Sequence, residues 1–146
     1  MLEAAKREIA QRIGEVEKES AVYKTEPWGF KDEGFFLNQT LEIQTEMEAE
    51  EVLVATQAIE TSLGRKRTNK QWAGRTIDID ILFYDDLIVE KQNLSIPHPL
   101  LHLRRFTLVP LNEISGEMNH PILGKTMKQL LEECKDQLQV VVFTDN

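Results

Sequence analysis

Several features are scarce in this sequence, and each shortage excludes a class of protein. Cys134 is the only cysteine among 146 residues, which excludes an internal disulfide framework and a zinc site built from several thiolates. No apolar run approaches the ~18 residues of a membrane span. The first nine residues carry charges where a signal peptide needs an apolar segment. The sequence therefore predicts a cytoplasmic protein with no membrane partner.

Basic residues are also few, since 17 Lys and Arg stand against 25 Asp and Glu and give a formal net charge of −8. This balance argues against nucleic acid as a general partner. The sequence has neither a Gly-x-x-x-x-Gly-Lys-[Ser/Thr] loop nor a Gly-x-Gly-x-x-Gly turn, which argues against the common nucleotide-binding folds. Its length and its 41% of hydrophobic residues predict one globular domain over residues 1–146, which we expect to be a monomer.

Hydrophobic periodicity predicts a mixture of helices and strands. Helical spacing predicts helices over 2–13 and 126–134, a short helix near 100–104, and a helix between Thr45 and Gly64 whose Thr45 and Glu48 have capping-box spacing. The segment 106–114 is apolar but has no assigned element. Extended or alternating patterns predict strands over 16–24, 35–45, 76–83, 87–89 and 140–143.

One predicted strand carries two carboxylates. Asp78 and Asp80 are two residues apart, so both project from one face while the isoleucines between and beside them face the core. Two residues of a strand span ~6.6 to 6.8 Å, and such carboxylates can hold one hard cation or bridge two that lie ~3.5 to 4 Å apart. Mg²⁺ suits them, because it takes a few carboxylate oxygens and completes its octahedron with phosphate oxygens and water. The alternative is a solvated strand face.

Positive charge is concentrated directly before this strand. Five of the 17 basic residues lie between Thr61 and Ile77 with no acidic residue among them, namely Arg65, Lys66, Arg67, Lys70 and Arg75. Cationic side chains beside a pair of carboxylates are typical of polyphosphate binding. The alternative is that the loop is a basic run exposed to solvent that binds no ligand. Trp72 in this loop is able to cover a ring or to anchor packing.

Other polar residues extend this candidate site. Gln57 and Glu60 share a helix face one turn before Gly64 and approach the basic loop. His98, between two prolines, and Arg104 offer donors to phosphate, or are ordinary turn residues. The residues alone thus predict a magnesium-dependent enzyme that acts on a nucleoside polyphosphate.

Three motifs closely resemble a known family. Arg-Thr-Ile-Asp-Ile-Asp-Ile-Leu at 75–82, Ile-Pro-His-Pro at 96–99 and Arg-Arg-Phe at 104–106 resemble 6-hydroxymethyl-7,8-dihydropterin pyrophosphokinase of folate biosynthesis, and the likeness extends from the first residues to about Pro121. The resemblance implies a ferredoxin-like α+β sandwich with an antiparallel sheet. It also implies magnesium-dependent transfer of pyrophosphate from ATP to the hydroxymethyl group of the pterin, releasing AMP.

The resemblance assigns roles to individual residues. Asp78 and Asp80 would bind two Mg²⁺ ions and, with Arg67 and Arg75, form the catalytic group. The residues implied to contact ATP, the co-substrate, are Gln57, Glu60, Arg67, Trp72, Arg75, Ile81, Ser95, His98 and Arg104. The residues implied to hold the pterin are Thr25, Trp28, Phe36, Asn38 and Phe106. Phe36 and Asn38 also share a strand face by alternation, which gives an aromatic wall beside an amide that suits a planar heterocycle.

The family's first strand, with its Gly-Ser-Asn end, is missing before the opening helix. We therefore expect an open slot beside residues 35–45, unless residues 140–143, the one uncommitted strand candidate, fill it. Two other functions remain open: a two-metal nuclease, which the carboxylates and basic loop alone would permit, and a catalytically inactive remnant that binds pterin or nucleotide.

Overall fold

The computed structural model describes residues 1–25, 35–65 and 77–144, with Arg65 described by its backbone alone. It contains both helices and antiparallel strand pairs, which confirms the predicted α+β class. The elements in chain order are α1 (Leu2–Arg12), β1 (Glu15–Glu19), β2 (Tyr23–Thr25), β3 (Phe36–Asn38), β4 (Leu41–Gln44), α2 (Ala49–Arg65), β5 (Val89–Lys91), β6 (Leu94–Ile96), a 3₁₀ turn (Leu101–Leu103), α3 (Arg105–Ser115), α4 (Met127–Glu133) and β7 (Val140–Val142).

The first two helices pack together through their apolar stripes. Ala5 and Ile9 of α1 are buried with Ile59 and Leu63 of α2, as the helical spacing predicted. The chain then turns tightly at Gly14, where an added Cβ would lie 2.0 Å from the carbonyl oxygen of Gln44. Only glycine permits β4 to approach the end of α1 this closely.

The strand predicted over 35–45 is wrong as a single element, because it divides between two sheets. β3 pairs antiparallel with β2, whereas β4 pairs antiparallel with β1. Buried Ser20 stands at the division: its Oγ accepts a hydrogen bond from the backbone N of Thr40 at 3.0 Å, and its carbonyl accepts one from Gln39 Nε2 at 2.8 Å. These bonds satisfy main-chain groups where the ladder is interrupted.

The predicted C-terminal strand is confirmed as β7, which pairs antiparallel with β2 in a sheet of order β3-β2-β7. The backbone N of Phe143 continues the pairing to the carbonyl of Val22 at 2.9 Å. β7 therefore does not lie beside β4. The strand predicted over 87–89 is displaced, because the pair observed is β5 with β6, beginning at Val89.

The strand predicted over 76–83 is wrong in its described part, 77–83, which pairs with none of the described strands. A β-strand is defined by its ladder, and here no neighbour supplies one. The alternation that prompted the prediction is nevertheless present, because Ile77, Ile79 and Ile81 are half-buried while Asp78 and Asp80 are exposed.

The helix ends also differ from expectation. The capping box predicted at Thr45 and Glu48 is wrong: α2 begins at Ala49, and the Thr45 hydroxyl donates instead to the carbonyl of Ile13 at 2.7 Å. A genuine capping box opens α4, where Thr126 and Gln129 bond each other's backbone N.

The unassigned segment 106–114 forms most of α3, and the short helix expected near 100–104 is the 3₁₀ turn that precedes it. α3 and α4 enclose a second core, in which Leu101, Leu108 and Met127 are fully buried. Among the described residues, no helix is long and apolar enough to cross a membrane.

Candidate active site

The two carboxylates lie on the segment 77–81, whose isoleucines pack against the core. Ile77 and Ile79 pack against the core that α1 and α2 share, and Ile81 packs against the core around β6. Asp78 and Asp80 are exposed on the alternate positions, and the side chain of Asp80 is 54% exposed. The sequence prediction that both carboxylates face away from the core is therefore confirmed.

Helix α2 holds the main chain between the two aspartates. Glu60 Oε2 accepts a hydrogen bond from the backbone N of Ile79 at 2.6 Å. Gln57, on the same helix face, is exposed. The structure thus brings Glu60 to the carboxylate segment through a main-chain contact that the sequence did not predict. The basic loop that Gln57 and Glu60 were predicted to approach lies outside the described residues, apart from the backbone of Arg65.

His98 lies on the other side of Asp80. Its Nε2 is 4.0 Å from Asp80 Oδ2, and its backbone N donates to the carbonyl of Leu82 at 2.9 Å. Its Nδ1 accepts from the backbone N of Leu100 at 3.1 Å, which places the ring proton on Nε2 in the neutral form. His98 therefore presents a donor beside the carboxylates.

Two further predicted contacts to ATP lie on neighbouring elements. Ser95 is in the centre of β6, next to the buried Leu94 and Ile96 against which Ile81 packs. Arg104 immediately precedes α3, and its guanidinium is 5.5 Å from the ring centroid of Phe106.

A cavity of about 940 Å³ connects the carboxylates with part of the predicted pterin site. Asp78, Asp80, Asn38 and Phe106 all line it. Phe36 does not line this cavity and is 62% exposed, although it pairs with Thr25 across β3 and β2. The structure thus unites the carboxylates with two of the predicted pterin residues.

Thr25 is buried, and its Oγ1 has no hydrogen-bond partner in the described part of the chain. A buried hydroxyl without a partner is costly.

Glu113 supports this region, and the sequence analysis missed it. Its Oε1 accepts hydrogen bonds from the Tyr23 hydroxyl at 2.7 Å and from the backbone N of Ala21 at 3.2 Å, which ties α3 to β2. Burial, assisted by the bond to Glu113, raises the pKa of Tyr23 to about 12. The available signal was that Glu113 is the single charged residue within the segment 106–114.

Four predicted site residues, Trp28, Arg67, Trp72 and Arg75, lie outside the described residues. Among the described ones, no three His, Cys, Asp or Glu side chains gather into a metal cluster. Two exposed carboxylates with open surroundings fit Mg²⁺, which keeps several waters and shares substrate phosphates.

Comparisons with known proteins agree with these motifs. The family model for 7,8-dihydro-6-hydroxymethylpterin-pyrophosphokinase (HPPK) matches residues 1–116. A 2-amino-4-hydroxy-6-hydroxymethyldihydropteridine pyrophosphokinase of Aquifex aeolicus is 41% identical over 119 residues, covering 82% of this chain and 74% of that protein. The enzyme of the same name from Bacillus subtilis is 43% identical over 103 residues, covering 70% of this chain and 61% of that protein.

The fold is shared with a solved structure, Plasmodium falciparum HPPK-DHPS with SDX-DHP, at a TM-score of 0.69 and 19% identity. The match covers 90% of this chain and 40% of that chain. The family model and the two relatives together define a pyrophosphokinase. The chain belongs to the 7,8-dihydro-6-hydroxymethylpterin-pyrophosphokinase family, which confirms the family that the motifs predicted.

Proposed function

We propose that this chain transfers pyrophosphate from ATP to the hydroxymethyl group of 6-hydroxymethyl-7,8-dihydropterin and releases AMP, as a cytoplasmic monomer in folate biosynthesis. The observation that carries the proposal is the cavity in which Asp78 and Asp80 meet Asn38 and Phe106. A transferase for two substrates needs a metal-binding edge and a heterocycle-binding wall in one enclosure, because proximity and orientation account for much of such catalysis.

Asp78 and Asp80 would hold two Mg²⁺ ions, which supply electrostatic stabilisation of the phosphate oxygens when bound. His98 would donate from Nε2 to a phosphate oxygen beside Asp80, and Arg104 would add positive charge. The remaining residues proposed to contact ATP are Gln57, Arg67, Trp72, Arg75, Ile81 and Ser95.

Asn38 carries an amide with both a donor and an acceptor, which suits the edge of a pterin ring. Phe106 provides an aromatic surface on the same cavity. We assign Thr25, Trp28 and Phe36 to the same substrate. The pairing of Thr25 with Phe36 across β2 and β3 supports the assignment of these two residues to one substrate.

We also propose that residues 1–146 form one domain of ferredoxin-like architecture from which the first strand is missing. We assign the part of this cavity that is lined by Asn38, Asp80 and Phe106 to the substrates, and the part that is lined by β4, Ile9 and Ile13 to the missing strand. A strand inserted there would gain partners on both flanks, whereas main-chain groups left unpaired in a buried lane cost ~1 to 3 kcal/mol each.

The function is tested by incubating the protein with ATP, Mg²⁺ and the hydroxymethylpterin and measuring AMP and pyrophosphorylated pterin. The reaction without pterin is the control for ATP hydrolysis. Formation of both products in equal amounts is expected. Cleavage of nucleic acid instead would favour a two-metal nuclease, and binding of ATP or pterin without AMP would favour an inactive remnant.

The missing strand has its own test. Adding an upstream strand that ends in Gly-Ser-Asn should raise both the melting temperature and the rate of AMP formation. An added strand that changes neither quantity would contradict the proposal, and the same residues in scrambled order provide the control.

A further inference from the structure

We propose that Glu60 is a positioning residue that aims the two aspartates by holding the peptide between them. The inference rests on the proposed function in one respect, namely that Asp78 and Asp80 bind Mg²⁺. It assigns Glu60 an action through the protein's own main chain, and therefore one that needs no nucleotide.

The geometry isolates this contact. Glu60 Oε2 lies 2.6 Å from the backbone N of Ile79, a short distance typical of a hydrogen bond to a charged acceptor. No other hydrogen bond within the described part of the chain reaches the main chain of residues 77–81. Ladder bonds, which would normally fix such a segment, are not formed among the described strands.

Within the described residues the segment is held at two main-chain points that bracket Asp80. One is Ile79, bonded to Glu60, and the other is Leu82, whose carbonyl accepts from the backbone N of His98 at 2.9 Å. The Ile79 nitrogen belongs to the peptide that directly follows Asp78. Displacement of the main chain at Ile79 would shift both aspartates, because Asp78 and Asp80 are the residues on either side of it.

The Glu60 side chain lies on a rigid support. α2 is a helix of 17 residues, and Ile59, next to Glu60, is fully buried in the core shared with α1. Because the helix is fixed by its packing, the Glu60 carboxylate holds the main chain of Ile79 in a defined position. Groups that support metal ligands in this manner typically change metal affinity by about 10- to 100-fold when removed.

Two substitutions separate positioning from direct contact with ATP. Glu60→Ala removes the acceptor for the Ile79 N–H, whereas Glu60→Gln keeps an acceptor oxygen of nearly the same reach. Thr61→Ala, at an exposed neighbouring position of the same helix, is the matched control. Glu60→Asp, which retains the charge but shortens the side chain, replaces the alanine variant if that variant does not fold.

The decisive measurement is Mg²⁺ binding by calorimetry in the absence of nucleotide, together with amide hydrogen exchange at Ile79. We expect Glu60→Ala to weaken Mg²⁺ binding by at least about tenfold and to accelerate exchange at Ile79. Glu60→Gln and Thr61→Ala should stay close to the unmodified protein in both measurements.

Unchanged Mg²⁺ binding in Glu60→Ala, with only a raised KM for ATP, would overturn the inference and make Glu60 a nucleotide contact. That result would leave the proposed function intact, since the unmodified protein would still form AMP. If the unmodified protein neither binds Mg²⁺ nor forms AMP, the proposed function fails and this inference fails with it.

Discussion

The carboxylate segment 77–83 and the turn 119–126 between α3 and α4 are held in opposite ways. In the turn, the backbone N of His120 donates to Lys125 at 2.8 Å, and His120 Nδ1 accepts from the backbone N of Ile122 and Leu123 at 3.2 and 3.1 Å. The turn therefore contains its own partners within six residues. The carboxylate segment relies on Glu60 and His98, which lie 19 and 16 residues from the atoms they bond.

This difference separates stability from function along the chain. A turn that satisfies its own polar groups contributes to folding and presents no free ligand. A segment that is held by few hydrogen bonds keeps its carboxylates accessible to a ligand. Sites that bind and release ligands generally lie in regions of low local stability. The predictions below test this division, beginning with the largest expected effect.

Replacing Asp78 or Asp80 by Ala should remove nearly all AMP formation while the circular dichroism spectrum and the melting temperature stay unchanged. Each substitution removes an exposed carboxylate that no packing depends on. Asp86→Ala, in the exposed turn that follows, is the control and should retain activity. A variant of either aspartate with more than about a tenth of the turnover, a barrier change under ~1.4 kcal/mol, would contradict the metal assignment.

Replacing Asn38 by Ala should raise the KM for the pterin while leaving the KM for ATP near its original value. An unpaired hydrogen-bonding edge costs ~1 to 3 kcal/mol, which corresponds to about 5- to 150-fold. Steady-state kinetics with each substrate varied in turn measures the two constants. Glu46→Ala, at an exposed position after β4, is the control, and an equal rise in both KM values would show that Asn38 supports the fold of the site instead.

Replacing Thr126 by Ala should lower the free energy of unfolding by about 0.5 to 2 kcal/mol, because the capping box that opens α4 loses one of its two bonds. Urea denaturation measures this loss. Activity at a temperature well below the transition should not change. A loss of activity at full folding would show that the turn region takes part in function and would remove the contrast drawn above.

The smallest effect concerns pH. Burial, with a contribution from the nearby charge of His102, lowers the pKa of His120 from its ordinary 6.5. The neutral form is thus favoured by folding, so this contribution to stability is complete above pH 6.5 and is lost as the pH falls from there towards the pKa of the folded state. His120→Asn keeps a side-chain acceptor for the turn and should flatten the melting temperature between about pH 7.5 and 5.5. An identical slope in the variant would assign the dependence to other groups.

Local patterns in the sequence correctly predicted helices that carry a long apolar stripe and a strand that is rich in valine. The apolar stripes of α1 and α2 required no knowledge of the rest of the chain, and the same is true of the valines of β7. The division of residues 35–45 was not predictable, because it depends on the Ser20 side chain, which bonds Thr40 from twenty residues away. Thr45 was misassigned for a similar reason, since its hydroxyl bonds the distant Ile13 carbonyl.

The candidate site was predictable in its chemistry more than in its supports. Alternation alone placed Asp78 and Asp80 away from the core. The contact of Glu60 with the Ile79 backbone and the contacts of Glu113 with Tyr23 depend on long-range packing, which no periodicity encodes. The contacts that sequence reasoning missed join residues that are far apart in the sequence. The orientation of the two aspartates, in contrast, follows from the alternation of neighbouring residues.

The close approach of Gly14 to the carbonyl oxygen of Gln44 limits how the width of this cavity can change. Ile13 and Gln44, which line one end of the cavity, are brought together where the chain has no side chain at all. The width at that end is therefore set by main-chain atoms in contact, and any substitution of Gly14 would push β4 outwards. Variation in the size or shape of an accepted ligand, whether natural or designed, is therefore expected to come from side chains such as Asn38 and Phe106, which line the same cavity and can be replaced.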